Sequence, residues 1–376
     1  MIIYYKNKKY DITKFLKHHP GGSHVLKNVN NQNITSLIYS YHKNIDKVEQ
    51  ILTKYLVLDN VQNDLPITKY ELYQLLKKQV LKSIPNTKYT TKSFIFLFIN
   101  LFILAYCWIS FFISPSLVLA LFISIYSFSY FGRIQHEASH NAISKYPIIN
   151  KYLRYTIYPF AGVDTWDFDH NILHHQYTNT HLDDDSNPEP LMYYNSNKNK
   201  SINKYYKYQH IYYWFLTPFV SINKGLLKSI KSYDYKYIGT FLIFFIIPSI
   251  YHRSLLPLLI NFIFSVLFTI ITQVNHIDDA QLEYTHTNDF LKDQIQTSIN
   301  YKTDFITDYL CIGLNWQIEH HLFPDIAHEH LHLVAPIVKA FCKKYKIRYI
   351  CKKSFWSALY DYCVFLYEIP RNNTKK

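Results

Sequence analysis

The stretch SFIFLFINLFILAYCWISFF, residues 93 to 112, contains no charged side chain. A helix of that length rises about 30 Å, the thickness of a bilayer's hydrocarbon core. Its backbone must be helical there, because lipid offers no partner for an open amide. An uncharged turn around Pro115 leads into SLVLALFISIYSFSYF, residues 116 to 131, and the two stretches read as a membrane hairpin. A second apolar pair lies at 237 to 251 and 254 to 273, its first member short for a span. About four transmembrane helices are expected. IYYWFLTPFVSI, residues 211 to 222, is too short to cross and reads as an interfacial helix.

Charge orients these spans. Lys82, Lys88 and Lys92 precede the first pair, Arg133, Lys145 and Lys151 follow it, and Lys228, Lys231 and Lys236 precede the second. Only Arg253 sits in an outer turn. The asymmetry puts both termini and residues 132 to 236 in the cytosol. The net charge of +13 thus has an explanation in anionic lipid headgroups, and no nucleic-acid-binding motif accompanies it. The start, MIIYYKNKKYD, lacks the long apolar run of a signal peptide, and Thr374 to Lys376 carry no recognisable retrieval signal. Five cysteines without a Cys-x-x-Cys exclude a disulfide framework and a zinc–cysteine site.

Around the spans the chain divides into a compact unit at 1–60, a segment at 61–92, the membrane domain at 93–350, and a tail at 351–376. The second segment combines a linker bearing Pro66 with an amphipathic helix from Tyr70 to Lys82. Within the first unit, HHPGGSHVLKNVNNQNITSLIYSYHKN, residues 18 to 44, reads as an electron-carrier loop. Two glycines follow a proline, with a histidine on one side and His42 on the other.

Three histidine clusters stand out. QHEASH carries His136 and His140 just past the second apolar stretch, DHNILHH carries His170, His174 and His175, and QIEHH carries Gln317, His320 and His321. Four-residue spacing stacks imidazoles on one helix face, while adjacent histidines turn about 100° apart and can serve different ions. His276 follows the last apolar stretch, at the membrane depth of His136. Imidazole-rich ligation suits zinc, copper or iron, and this many ligands suit a two-metal site. EASH also fits the Glu-x-x-His pattern of carboxylate di-iron bundles, but the pattern does not recur. Glu137 and Glu319 are therefore read as groups that orient imidazoles. His181, His210, His252 and His286 stand alone and are read as ordinary hydrogen-bonded histidines.

GRIQHEASHNAIS, DFDHNILHHQYTN and GLNWQIEHHLFPDIAHEHLHLVAPIVKAFCKKY resemble the three histidine boxes of the membrane fatty acid desaturases. The resemblance is strongest to the front-end subgroup, where glutamine opens the third box. KKYDITKFLKHHPGG resembles the haem domain of cytochrome b5. The second box here is His-x3-His-His, where many front-end enzymes have His-x2-His-His. Together these similarities imply a small α+β cytochrome b5-like domain followed by an all-α integral membrane domain with a cytosolic histidine-rich cap. They imply a pair of non-haem iron ions on His136, His140, His170, His174, His175, His276, His320 and His321. Gln317 stands where other desaturases have histidine, and its direct ligation stays open. Haem b is implied on His19 and His42, with Gly21 and Gly22 turning the backbone close to it.

The implied activity is O2-dependent insertion of a double bond into a fatty acyl or sphingoid chain, presented as acyl-lipid or acyl-CoA. Electrons would pass through the fused haem domain from a reductase of the NADH-cytochrome b5 reductase kind. The site of action would be the lipid bilayer of the endoplasmic reticulum. A lipid hydroxylase with the same metals is the alternative enzyme. A non-catalytic membrane haem electron carrier is the alternative of another class, and it would be expected to have lost box histidines.

Overall fold

The computed structural model describes residues 1–59, 61, 68–180, 182–183, 192, 204–277, 286–311 and 313–373. Pro66, His181 and Thr374 to Lys376, singled out above, lie outside them.

The N-terminal unit is built on a hairpin. Strands β1 (Ile2–Tyr5) and β2 (Lys8–Asp11) pair antiparallel, with Ile3, Tyr5 and Tyr10 turned inward. Lys6 and Asn7 turn the chain with φ of 46° and 58°, positive at both positions as a two-residue hairpin turn of matching twist requires. β3 (Gln32–Asn33) adds parallel to β1 and β4 (Leu56–Leu58) antiparallel to β2, giving the order β3-β1-β2-β4. Helices Thr35–Tyr41 and Ile45–Leu52 complete the unit.

Among the described residues, Thr91–Ile113, Leu117–Ser139 and Leu256–Gln273 are long and apolar enough to cross a membrane, and Tyr235–Tyr251 is a shorter apolar helix. Phe102, Ile113 and Val118 are each 77% exposed, a surface that only lipid would cover at no cost. Leu117–Ser139 does not stop where its apolar stretch ends. It widens to a π pitch over Ser127–Gly132 and continues, so His136 lies in its last turn rather than beyond it.

Two further segments are packed against the rest of the chain. The amphipathic helix expected from Tyr70 to Lys82 forms as Glu71–Ser83 and buries its apolar face. Tyr73, Leu76 and Val80 are fully buried in one apolar cluster that also holds Ile3 and Tyr5 of the first unit and Ile318 and Leu322 of the third box. The Tyr73 hydroxyl donates to the Leu322 carbonyl at 2.7 Å. The C-terminal segment is likewise not a loose tail. β5 (Asn300–Tyr301) pairs parallel with β6 (Cys351–Lys352), and helix Phe355–Asn373 sinks Tyr362, Phe365 and Leu366 into the core of the membrane domain.

Candidate metal centre

The boxes arrive on three short helical pieces. His136 ends the helix Leu117–Ser139 and His140 caps it. The second box lies on a π-helix, Asp167–His174, running into His175–Tyr177. The third is the helix Gln317–Leu322, and His276 follows Leu256–Gln273.

These pieces bring eight buried imidazoles together in two groups. His136, His140, His170, His175 and His320 form one, and His174, His276 and His321 the other, with ligand atoms in each within 4.8 Å of one another. Both adjacent pairs divide, His174 from His175 and His320 from His321, as their 100° offset allows. The second box departs from the simple α-helical expectation. Four-residue spacing would set His170 with His174, yet His170 shares its group with His175, five residues on. The wide pitch of the π-helix, with its i→i+5 bonding, accounts for that.

The nitrogens converge. His136 Nε2 lies 2.8 Å and His175 Nε2 3.3 Å from His170 Nε2. The Nε2 atoms of His140, His320 and His321 are buried with no hydrogen-bond partner. Burial, reinforced by neighbouring imidazoles, holds His140, His175, His320 and His321 well below the ordinary imidazole range, so they are neutral at pH 7. Neutral, converging, otherwise unsatisfied imidazoles fit metal ions, and the all-nitrogen donor set fits a late first-row metal such as iron.

His174, His321, His276 and His140 are each aimed from behind through Nδ1, which leaves Nε2 for an ion. His174 Nδ1 meets both Asp183 oxygens, at 3.0 and 3.1 Å. His321 Nδ1 donates to Gln294 Oε1 at 2.9 Å, and His276 Nδ1 to the Thr297 carbonyl at 3.0 Å. Tyr41 Oη lies 2.6 Å from His140 Nδ1. None of these orienting groups stood out in the sequence, although Asp183 belongs to the acidic run after the second box. His328, inside the third-box stretch, was also passed over, and its ring stands 5.1 Å from His136 and 5.3 Å from His320.

The two glutamates do not orient imidazoles. Glu137 accepts from Tyr89, from Arg133 Nε at 3.0 Å and from the His328 backbone N–H at 2.6 Å. Glu319 accepts from Asn300 at 2.7 Å and Tyr349 at 2.8 Å. They tie the box helices to neighbouring segments instead. Gln317 stands in the three-histidine group with its amide nitrogen 2.8 Å from His276 Nε2. An amide N–H cannot ligate, so ligation would need the oxygen turned inward. Of the lone histidines, His252 bonds the Phe112 carbonyl at 2.9 Å, His286 Nδ1 lies 3.8 Å from Asp293, and His210 packs on the Tyr367 ring.

In the N-terminal unit, the rings of His19 and His42 face across 6.1 Å. Metal–imidazole bonds of about 2 Å on each side place a single ion in that gap. His19 Nδ1 pairs with the Gly22 carbonyl at 3.3 Å and His42 Nδ1 with the Ile38 carbonyl at 3.1 Å, freeing both Nε2 atoms. Burial lowers the His19 pKa and pushes His42 down to about 4, so both imidazoles are neutral at pH 7, the form that can ligate a metal. Gly22 has φ of 88°, and a Cβ on Gly21 would come within 2.9 Å of the His19 ring, so both positions require glycine. The adjoining cavity of about 540 Å³ is lined by Val25, Leu37 and Ile38 on one side and by Ser139 and Asn141 of the first box on the other. It is large enough for a porphyrin, with apolar side chains against the His19–His42 pair and charged ones such as Lys43 and Arg154 elsewhere on its wall.

A family model described as "Fatty acid desaturase" matches residues 108–353. The chain belongs to the fatty acid desaturase family. A second model, "Cytochrome b5-like Heme/Steroid binding domain", matches residues 1–59 of this desaturase and implies haem. The desaturase is similar to "Probable Delta(5) fatty acid desaturase C" of Dictyostelium discoideum, with 30% identity covering 96% of this chain and 90% of the relative. "Acyl-lipid (8-3)-desaturase B" of the same organism is 29% identical, covering 96% and 89%. "sn-1 linoleoyl-lipid 6-desaturase" of Arthrospira platensis is 27% identical over 60% and 70%. The desaturase is thus an oxidoreductase with its electron carrier fused at the N-terminus, and its apolar helices make it a membrane protein.

Proposed function

We propose that the desaturase is a front-end enzyme that inserts a Δ5 double bond into an acyl chain held as a membrane lipid. It would use a pair of non-haem irons and electrons from its own haem. The observation that carries the two-iron reading is the division of the box histidines into a group of five and a group of three beside an apolar slot.

His136, His140, His170, His175 and His320 would hold one iron. His174, His276 and His321 would hold the other, with Gln317 beside it. The iron pair supplies O2 activation and the removal of hydrogen from two neighbouring carbons. The remaining work belongs to the protein. A narrow cavity of about 40 Å³ opens onto His136, His170, His174 and His276 between Phe128, Trp166, Phe264 and Phe268. A second, of about 60 Å³, continues past Trp166 and Phe268 to Thr165, Asp169 and Ser221. Its walls would hold an extended acyl chain across the histidines and keep water out, while the polar far end would receive a carboxyl ester. His19 and His42 would ligate haem b, and two imidazole ligands would confine it to electron transfer.

A reductase of the NADH-cytochrome b5 reductase kind would feed the haem. We place the enzyme in the endoplasmic reticulum with both termini cytosolic, on the lysine asymmetry around the spans. The relatives named for Δ5 and acyl-lipid desaturation support the regiochemistry and the lipid-bound substrate. The test is expression in a yeast without polyunsaturated lipids, fed a panel of polyunsaturated acids, with new double bonds mapped by mass spectrometry. The expected product carries a new bond at C5, between the carboxyl and the existing bonds. A bond on the methyl side, or a hydroxylated product, overturns the reading.

A further inference from the structure

Fusion explains why the donor is nearby but not how an electron leaves it. Helix Thr35–Tyr41 ends at Tyr41, and the next residue is the haem-facing His42. The Tyr41 side chain leaves the haem unit and meets His140 of the first box, 99 residues later, with the phenol oxygen 2.6 Å from Nδ1. The two rings are nearly parallel, at 20°. His140 belongs to the five-histidine group, and its Nε2 has no hydrogen-bond partner. With Nε2 on a metal, the imidazole proton sits on Nδ1 and donates to the Tyr41 oxygen.

We propose that Tyr41 is the relay between the two centres. The route runs from the His42 imidazole along one stretch of backbone to the Tyr41 phenol, then through one hydrogen bond to the His140 imidazole. This inference rests on the di-iron and fused-donor reading above. Electron tunnelling falls off exponentially with distance, and less steeply through covalent and hydrogen bonds than across gaps. This route has a single non-covalent step, of 2.6 Å.

The corner that carries it is pinned. The buried Lys77 ammonium donates to the carbonyls of Tyr39, Ser40 and His42 at 2.7, 2.5 and 3.2 Å. The glycine turn is seated on the cap as well, since a Cβ on Gly22 would lie 3.3 Å from Pro147 Cβ. Lys27 pairs with Asp164, and Asn28 donates to the Asp164 carbonyl at 3.0 Å. The two units are thus held in register on both sides of Tyr41.

The electron count closes on what the reaction supplies. Removing one hydrogen from each of two neighbouring carbons and reducing one O2 to two waters takes two electrons and two protons from outside. Each electron oxidises one ferrous haem to ferric and ends on oxygen. The reductase re-reduces the haem between passages, so Tyr41 is crossed once per electron.

The experiment uses the full chain, loaded with haem and iron in lipid nanodiscs. The haem is photoreduced under anaerobic conditions and its reoxidation followed by absorbance in wild type, Tyr41→Phe and Tyr39→Phe. Tyr39 is a control on the same helix, stacked on Tyr70 at 3.9 Å. The expected result is reoxidation at least tenfold slower in Tyr41→Phe alone. Rates are compared at equal bound iron; the haem spectrum and midpoint potential should be unchanged, and turnover driven by a small soluble mediator should fall far less than the reoxidation rate. Reoxidation at the wild-type rate in Tyr41→Phe overturns the relay. So does a fall in mediator-driven turnover as large as the slowing of reoxidation, which would make Tyr41 only a support for His140. Reduced haem that persists in the iron-loaded wild type overturns the fused-donor reading and the relay with it, and the wild-type trace alone identifies that case.

Discussion

Replacing Asp183 by Asn should empty one iron position and spare the other. Asp183 is fully buried, and its carboxylate meets His174 Nδ1 at 3.0 and 3.1 Å and accepts the Asn179 N–H at 2.9 Å. Asn179 donates onward to the His276 carbonyl at 2.8 Å, so two of the three histidines in that group lean on the same carboxylate. A hydrogen bond to a charged partner contributes roughly 1.5–3 kcal/mol, against about 1 kcal/mol for a neutral one. Asparagine keeps the shape and the neutral part, so about 0.5–2 kcal/mol is lost, or roughly 2- to 30-fold in affinity. Outer groups behind metal-bound histidines typically matter by about 10- to 100-fold, a range that overlaps this one around tenfold. The assay is a chelator titration of purified protein, with non-haem iron counted per haem. In Asp183→Asn about half of the non-haem iron should leave at roughly tenfold lower chelator, while the five-histidine half leaves as in wild type. If both halves leave together at the wild-type concentration, the two-group division is wrong.

His19→Ala or His42→Ala should abolish the bis-imidazole haem spectrum and most cellular desaturation while leaving non-haem iron bound, and full activity in the double variant would mean a free cytochrome is the donor. His276→Ala should abolish desaturation and lower bound iron with normal membrane insertion, and Asn275→Ala should do less harm; product and iron assays on both decide it. Glu319 is buried, and that burial pushes its pKa up to about 7, so the fold favours the neutral form more than the unfolded chain does. That contribution is fully present below pH 4.5 and lost as pH rises through 7, on the order of 3 kcal/mol. Glu319→Gln should therefore flatten the fall in melting temperature between pH 5 and pH 8, and an unchanged slope would show that Glu319 is ionised throughout.

The ligands were legible because each announces itself locally. Histidine pairs, a proline followed by two glycines, and uncharged runs are short-range signals, and the 100° turn between neighbours already separated His320 from His321. What decides the remaining geometry is not local. The partnership of His170 with His175 depends on a π pitch, which no residue in DFDHNILHH declares. Gln294 and Tyr41 lie 27 and 99 residues from the imidazoles they meet, so only the folded chain reveals their roles. The glutamates misled because proximity in sequence to a ligand is not proximity in space to its ring: Glu137 and Glu319 point from their helices toward Arg133, Tyr349 and Asn300. The helix at 355–373 was passed over as a tail because its apolar face is interrupted by Tyr, Asp and Cys, and its burial comes from the membrane-domain core it joins.

The central claim is most directly tested by metal analysis of the purified full-length protein, isolated without exposure to exchanging ions, alongside desaturation assays. The account predicts one haem iron and two non-haem irons per chain, with activity lost on chelation and restored by iron but not by zinc. Stoichiometric zinc that supports turnover would contradict it.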